Sequence, residues 1–183
     1  SSFALHATEN DDLVKAMMEV YAEELAANPQ DYRTYYSRAM AYFGQGDMKK
    51  ALSDIDNAIK YFPRKEKDDL AQAYLLRAKI LSERGETKSA LTDLNSALRL
   101  VPNHRLALKD RGDLLLRMDT RSQSAFMGLA RVEAHTGQPV RAKDLLAQAV
   151  NLSPKDPKIY LERSEIYKEM DMMPEAVDDL VYA

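Results

Sequence analysis

Residues 35–63, YYSRAMAYFGQGDMKKALSDIDNAIKYFP, decide the fold of this chain. Apolar residues recur at helical spacing on both sides of GQGD at 44–47, which predicts two amphipathic helices joined by a tight turn. Small residues stand where the two helices would touch closely: Ala39, Ala51 and Ala58. Pro63 then ends the second helix, because proline cannot continue the helical hydrogen bonding. The stretch therefore predicts a helical hairpin.

The same pattern returns in residues 74–102 and 126–154 and in an unfinished copy at 160–183. Gly46 and Gly85 are 39 residues apart, which corresponds to a 34-residue unit with five extra residues. The surplus falls in the charged link 64–69, which we expect to be solvated and to lengthen the next helix backwards by a turn. Such repeated hairpins predict an all-α right-handed solenoid, an architecture that carries partners more often than chemistry.

The period and its contents resemble the tetratricopeptide repeat family. That family's pattern has an aromatic at position 4, small residues at 8, 20 and 27, glycine near 15 and proline at 32. The first full copy fills these places with Tyr35, Ala39, Ala51, Ala58, Gly46 and Pro63, and the second with Tyr74, Ala78, Ala90, Ala97, Gly85 and Pro102. A later copy has Phe126, Ala130, Ala142, Ala149, Gly137 and Pro154, and the last has Tyr160, Ser164, Ala176 and Ala183, with Asp171 in place of glycine. The resemblance implies full copies at 32–65, 71–104 and 123–156, and partial copies at 105–122 and 157–183.

The segment before the array, residues 1–29, carries one predicted helix. Residues 1–12 show no helical period, and they end in three candidate N-caps, Asn10, Asp11 and Asp12. Apolar residues at three- and four-residue steps predict a helix at 13–27. Pro29 lies 34 residues before Pro63, so this helix has the position of the second helix of a repeat unit. The first helix of that unit is missing or cannot be recognised. We expect the helix at 13–27 to be unpaired or to act as a cap.

The period breaks once, in residues 105–122. Leu108 and Phe126 both fill position 4 but lie 18 residues apart, so positions 17 to 32, the length of one second helix, are absent. Losing that helix would expose the apolar faces of both neighbours, at about 1.5–3 kcal/mol for each large side chain. We therefore expect a segment to be missing between Thr120 and Ser122. A real deletion, with the two first helices fused or swapped between molecules, is the alternative.

Positions 7 and 23 of the repeat vary together. Arginine at position 7 accompanies aspartate at position 23 in three pairs: Arg38 with Asp54, Arg77 with Asp93, and Arg163 with Asp179. Where position 7 is Leu129, position 23 is Leu145. The two positions lie on the first and second helix, so the pattern predicts a cross-helix ion pair, worth about 0–1 kcal/mol if exposed. Arg111 has no such Asp in the sequence, as a missing helix would explain.

Composition excludes several classes of function. The net charge of −3 comes from 26 basic and 29 acidic residues that are intermixed, so no field gathers nucleic acid or anionic membrane. The absence of Cys excludes disulfides and thiolate chemistry but leaves the compartment open. No apolar run approaches the roughly 18 residues of a membrane span, and the start at Ser1 does not resemble a signal peptide. We expect a soluble protein, cytoplasmic or, if a signal was removed upstream, periplasmic.

The sequence predicts no catalytic, cofactor or metal site. Its three histidines, His6, His104 and His135, are far apart, and none has a metal-ligand spacing. His104 falls in a turn and His135 near a helix end, where a cap or a solvent contact is the default role. With no nucleophile, base or metal constellation, an enzyme is disfavoured.

The resemblance also implies a binding groove. In tetratricopeptide repeats the first helices line a concave groove, mainly through positions 2, 5, 9 and 12. These positions hold Arg33, Tyr36, Met40 and Phe43 in the first copy, Gln72, Leu75, Lys79 and Ser82 in the second, and Met127 and Arg131 later. Such a wall suits an extended or helical peptide with apolar anchors and some acidic character. Tyr36 and Met40 stand where relatives that bind chaperone tails carry Lys and Asn, so a chaperone tail is not expected.

The sequence thus predicts a non-catalytic scaffold, with an array at residues 30–183 that binds a peptide or partner protein in the groove. Stacked hairpins would hold the groove side chains in place before a ligand arrives. The alternative is self-assembly, in which uncovered helices at the two ends of the array stack into a homodimer. Neither hypothesis names the partner, because fold does not determine function.

Overall fold

A computed structural model of the chain describes residues 2–119 and 121–183, and residues 2–11 by their backbone. The described residues form ten α-helices and no strand. The helices are α1 Ser2–Ala27, α2 Tyr32–Gly44, α3 Met48–Tyr61, α4 Lys67–Glu83, α5 Thr87–Leu100, α6 Arg105–Met118, α7 Gln123–His135, α8 Pro139–Leu152, α9 Pro157–Glu169 and α10 Met173–Tyr182. The all-α class predicted from the sequence is confirmed.

Consecutive helices pack as hairpins, in the pairs α2 with α3, α4 with α5, α7 with α8, and α9 with α10. The chain divides into two compact units, unit 1 at Ser1–Pro102 and unit 2 at Asn103–Ala183. Within unit 1, α4 contacts α2, α3 and α5; within unit 2, α7 contacts α6, α8 and α9. Each hairpin therefore covers the apolar side of its neighbour inside its own unit, as the repeat predicts.

The turn inside each hairpin is set by one residue with positive φ. This residue is glycine in three hairpins, with φ of 78° at Gly46, 77° at Gly85 and 74° at Gly137, and it is Asp171 with φ of 59° in the fourth. In the first hairpin the Asp47 amide donates to the Tyr42 carbonyl at 2.9 Å, closing the end of α2. The Asp47 carboxylate then accepts from the Lys50 amide at 3.0 Å and caps α3. Glycine reaches this conformation without the Cβ strain that other residues meet.

The alanines predicted at the helix crossings are fully buried. They comprise Ala39, Ala51 and Ala58 in the first hairpin, Ala90 and Ala97 in the second, Ala142 and Ala149 in the third, and Ala176 in the fourth. Ala39, Ala51 and Ala58 share a core with Ile55, Leu70 and Ile80. Their small side chains let the helices approach closely, and the aliphatic residues fill the space between hairpins.

The predicted pairs between positions 7 and 23 are confirmed. Arg38 donates from Nε and Nη2 to both carboxylate oxygens of Asp54, at 2.7 and 2.8 Å. Arg77 binds Asp93 at 2.7 and 2.7 Å, and Arg163 binds Asp179 at 2.8 and 2.5 Å, in the same two-pronged geometry. All three aspartates are buried, so these pairs are not the exposed contacts for which a small contribution was expected.

Helix α1 starts earlier than the sequence predicts. It begins at Ser2, so the candidate caps at residues 10–12 lie inside the helix, and the prediction of a start near residue 13 is wrong. The physical reason is that no glycine or proline interrupts residues 2–27, so nothing in this segment stops a helix. Helix α1 packs against α2, where Leu25 is buried and the Thr34 hydroxyl donates to Glu24 at 2.8 Å.

At the break in the period, α6 packs directly against α7. Gly112 makes this possible, because a Cβ added there would lie 2.6 Å from Cγ of Leu129. The Ser122 amide donates to the Asp119 carbonyl at 3.2 Å between the two helices. Thr120 lies outside the described residues, so a segment missing at this point stays a prediction.

Among the described residues, no helix combines the length and the apolar character needed to pass through a lipid bilayer.

Candidate functional site

Unit 1 contains a cleft between its first helices α2 and α4, with a volume of about 300 Å³. Its lining residues, which define the Tyr36 cleft, are Tyr32, Arg33, Tyr36, Ser37, Phe62, Asp69 and Gln72. Arg33 and Tyr36 are three residues apart on α2 and share a helix face. Gln72, at position 2 of the next copy, faces them from α4. Three of the positions that the resemblance assigns to the groove therefore meet in one cleft.

The Tyr36 cleft combines aromatic surface with charges of both signs. The Tyr32 hydroxyl donates to Glu66 at 2.8 Å, and the Arg33 guanidinium carbon lies 5.1 Å from the centre of the Tyr32 ring. The Arg33 side chain is 73% exposed and approaches Glu66 only to 3.9 Å. Burial, with a smaller contribution from Asp69, raises the pKa of the Tyr36 hydroxyl, which therefore stays a hydrogen-bond donor at neutral pH.

Other predicted groove residues continue from this cleft along the same helices. Met40 is four residues after Tyr36 on α2 and is 50% exposed. Lys79 is seven residues, about two turns, after Gln72 on α4 and is also exposed. Phe43 is half-buried and packs against the unit 1 core. Ser82, one further turn along α4, is half-buried.

Two predicted groove residues lie in the interior instead. Leu75 is 3% exposed and Met127 is 5% exposed, so both are largely buried. Helix α4 is the central helix of unit 1 and contacts α2, α3 and α5, which leaves Leu75 covered. Met127 packs with Ile159 and Ile166 of α9 in the unit 2 core. A position number in the repeat does not reveal such coverage, because coverage depends on the neighbouring helices.

Arg131, the last predicted groove residue, lines a second cleft within unit 2 with a volume of about 380 Å³. The residues lining this Arg111 cleft are Leu108, Arg111, Ser124, Met127, Gly128, Arg131, Glu162, Glu165 and Ile166. Arg131 lies 3.6 Å from Glu165 and 3.6 Å from Glu169. Sequence reasoning missed Arg111 as a cleft residue, because it assigned position 7 to the packing between helices. The sequence has no aspartate at position 23 to match Arg111, and this difference from the other copies could have drawn attention to Arg111.

The two histidines with described side chains, His104 and His135, lie at helix ends. His104 Nδ1 accepts from the Ala107 amide at 3.3 Å and caps α6, and His135 Nδ1 lies 2.8 Å from the Arg131 carbonyl. The side chain of His6 lies outside the described part of the chain. Within that described part, no group of three or more His, Cys, Asp or Glu residues is arranged to hold a metal ion.

Hairpins of similar length, alanines at their crossings and a cleft on the first helices define a helical-repeat protein. A family model of the tetratricopeptide repeat matches residues 19–71 and 36–105, so this part of the chain is similar to that family. Tetratricopeptide repeats are generally protein–protein interaction modules and are typically non-catalytic. None of the curated proteins matches the chain in sequence.

Solved structures share the fold at low sequence identity. A crystal structure of MamA is 15% identical, with 96% of this chain and 90% of that chain covered and a TM-score of 0.51. The C-terminal part of a repeat-containing protein from Cytophaga hutchinsonii is 16% identical, with 98% and 77% covered and a TM-score of 0.53. A chain of the APC/C hetero-tetramer Cut9-Hcn1 is also 16% identical, with 92% and 36% covered and a TM-score of 0.53. At these identities the likeness establishes the fold alone.

Proposed function

We propose that this protein is a non-catalytic scaffold that binds a peptide or a partner protein on the first helices of unit 1, with the Tyr36 cleft as the anchor point. One observation carries the proposal: Arg33, Tyr36 and Gln72, which the family pattern assigns to the groove, line one cleft. The volume of that cleft, about 300 Å³, is at the lower end of small-ligand pockets, so it suits one side chain of a longer segment.

The chemistry of the surface defines the segment that would fit. Tyr32, Tyr36 and the exposed Met40 offer adaptable apolar contacts for an aliphatic or aromatic anchor. Arg33 on α2 and Lys79 on α4 carry exposed positive charges, which favours acidic residues in the ligand. Since helices α2 and α4 are held by the unit 1 core, the receptor needs little ordering on binding.

The test uses peptides selected from a displayed random library by the full chain itself, so no natural partner is required. We expect Tyr36→Ala to weaken the selected peptides about tenfold or more, because aromatic anchors dominate such interfaces. Lys79→Glu should weaken the binding of peptides that carry an acidic residue. Lys88→Glu, which changes another exposed lysine on the second helix α5, should not.

Thermal melting of each variant is the control for folding. Tyr36 also packs against the unit 1 core, so the exposed Lys79 separates loss of binding from loss of stability. If peptides bind Tyr36→Ala and Lys79→Glu as tightly as the unmodified chain, the Tyr36 cleft is not the binding site.

Self-association is a second candidate function, favoured by the surface of α10. Leu180 is 45% exposed, while Ile55 and Leu146 at the same repeat position are fully buried under a following helix. Val177, Val181 and Tyr182 are exposed beside it. Contiguous apolar surface of this kind marks interaction sites.

Light scattering over a range of protein concentrations tests this candidate. A dimer that appears with concentration and disappears in Leu180→Glu supports self-association, because a buried charge at the contact is costly. A monomer at every concentration contradicts it.

A further inference from the structure

Unit 1 contains a second cleft, between the middle of α1 and the C-terminal end of α2, with a volume of about 920 Å³. This volume is near the upper end of the range of small-ligand pockets. The two helices are held together away from the cleft, where Leu25 is buried and the Thr34 hydroxyl donates to Glu24 at 2.8 Å. The cleft shares no lining residue with the Tyr36 cleft, so the two sites are independent. The lining of this Met17 groove includes Val14, Lys15, Met17 and Met18 of α1 and Ala41 and Tyr42 of α2.

Ala41 leaves the space that the groove occupies. It has position 10 of the repeat, where each of the first helices α4, α6, α7 and α9 has a larger aliphatic residue that is buried. Alanine fills less volume than these side chains, and Ala41 itself is only half-buried. Apolar surface of α1 and α2 therefore stays uncovered at this place. The larger residues at position 10 are Ile80, Leu114, Val132 and Ile166.

Met17 shows the opposite exchange on α1. Since Pro29 aligns with Pro63, Met17 has position 20, where the second helices α3, α5, α8 and α10 have a fully buried alanine. Met17 is instead 40% exposed, and it lines the groove together with Met18. Methionine side chains are flexible and polarisable, so they adapt to the shape of an apolar ligand. The two exchanges together replace a packed helix contact by an open apolar groove.

Lys15 determines the charge that the groove favours. Among the lining residues that the structure describes, it is the one charged residue, and none is a carboxylate. Asp12 and Glu19 are one turn away on the same helix and do not line the groove. The exposed Gln45 side chain adds an uncharged hydrogen-bond donor at the end of α2. An apolar wall next to a single ammonium group suits a ligand with an apolar part and one negative charge.

We propose that the Met17 groove binds an aliphatic carboxylic acid of medium chain length. The chain lies against Val14, Met18 and Ala41, and the carboxylate accepts a hydrogen bond from the Lys15 ammonium group. Lining residues 14–18 and 41–45 each extend over little more than one helical turn, about 6 Å along the axis. The groove therefore fits a medium chain better than the long chain of a membrane lipid.

Octanoate is the probe, and NMR of the full chain with labelled methionine methyl groups is the readout. Octanoate should shift the Met17 and Met18 signals in a saturable way. Met173 on α10, which is 49% exposed, is the control for non-specific contact with exposed methionines and should not shift. Octanol, which lacks the charge, should bind at least about threefold more weakly. Butyrate, which lacks most of the chain, should bind about tenfold more weakly or less tightly still.

Variants locate the site. Ala41→Ile, which copies Ile80, should fill the groove and abolish the octanoate shifts without lowering the melting midpoint. Lys15→Gln should reduce octanoate binding to the level of octanol, and this surface change remains decisive if Ala41→Ile fails to fold. Lys49→Gln, which changes an exposed lysine on α3 outside the lining, should bind octanoate as the unmodified chain does. Tyr36→Ala should also bind octanoate normally, so this proposal and the one for the Tyr36 cleft fail separately.

Three results would overturn the proposal. The first is no shift of Met17 and Met18 at octanoate concentrations just below micelle formation. The second is a shift of Met173 as large as theirs, which would mean adventitious binding of an amphiphile only. The third is that octanol binds as tightly as octanoate, or that Lys49→Gln weakens octanoate as much as Lys15→Gln does.

Discussion

Asp54, Asp93 and Asp179 show how a pair of residues can be predicted from a repeat alone. Each is buried, and each accepts two hydrogen bonds from an arginine 16 residues earlier. The covariation with Leu129 and Leu145 identified the contact, because an internal repeat compares the same site in several backgrounds. It did not identify the burial of the carboxylates, which makes these pairs far more sensitive to disruption than exposed ones.

Replacing one partner of such a pair should be costly, and replacing both should not. Asp54→Ala should lower the free energy of unfolding by about 2–4 kcal/mol, since it leaves the charge of Arg38 facing the space that the carboxylate occupied. The double variant Arg38→Leu with Asp54→Leu, which copies Leu129 and Leu145, should recover most of that loss. Urea unfolding followed by circular dichroism measures both.

The control is an exposed ion pair, Asp113 with Lys109. Asp113 pairs with Lys109 at 2.8 Å on the surface of α6, and Asp113→Ala should change stability by less than about 0.5 kcal/mol. If Asp54→Ala costs no more than Asp113→Ala, the buried pair is not a stabilising contact between the helices.

At the scale of the helices, the sequence predicts the turns and the helix crossings. It does not predict which residues of a helix are buried by its neighbours. Positive φ at Gly46 and Gly85 follows from the need for a tight turn, for which glycine is the least strained residue. The extra turn of α4 follows from the charged link before it, and α4 does begin at Lys67. Burial of Leu75 could not be predicted, because it depends on three helices that contact α4.

Two glycines on adjacent helices test the packing of α6 on α7. Gly128→Ala should stabilise unit 2 by up to about 1 kcal/mol, since the new Cβ meets nothing closer than 3.9 Å and alanine favours helix. Gly112→Ala should destabilise it by about 1–2 kcal/mol despite the same gain, because its Cβ would lie 2.6 Å from Leu129 Cγ. Thermal unfolding of the two variants measures the difference.

This comparison also bears on the break in the period. If a second helix is missing after α6, Gly112 would pack against that helix and not against Leu129. Equal stability of Gly112→Ala and Gly128→Ala would therefore contradict the direct packing of α6 on α7.

At the scale of the whole chain, the repeat predicts the fold and a resemblance to a family of interaction modules, and it does not predict the partner. A 34-residue period with alanine, glycine and proline at fixed places is specific enough to predict the tetratricopeptide repeat fold. Arg33, Tyr36 and Gln72, which the resemblance assigns to the groove, line the Tyr36 cleft, and their role in binding stays a prediction. The residues that define the repeat stabilise the fold and do not contact a ligand. They therefore do not predict the sequence of the partner.

The measurement that tests the account most directly is an NMR titration of the full chain with one library-selected peptide. If the first helices of unit 1 bind it, backbone amide shifts should concentrate at Arg33, Tyr36 and Gln72 and extend towards Met40 and Lys79. Shifts that concentrate on the second helices α3 and α5, and leave Tyr36 unchanged at saturation, would contradict the proposed binding surface.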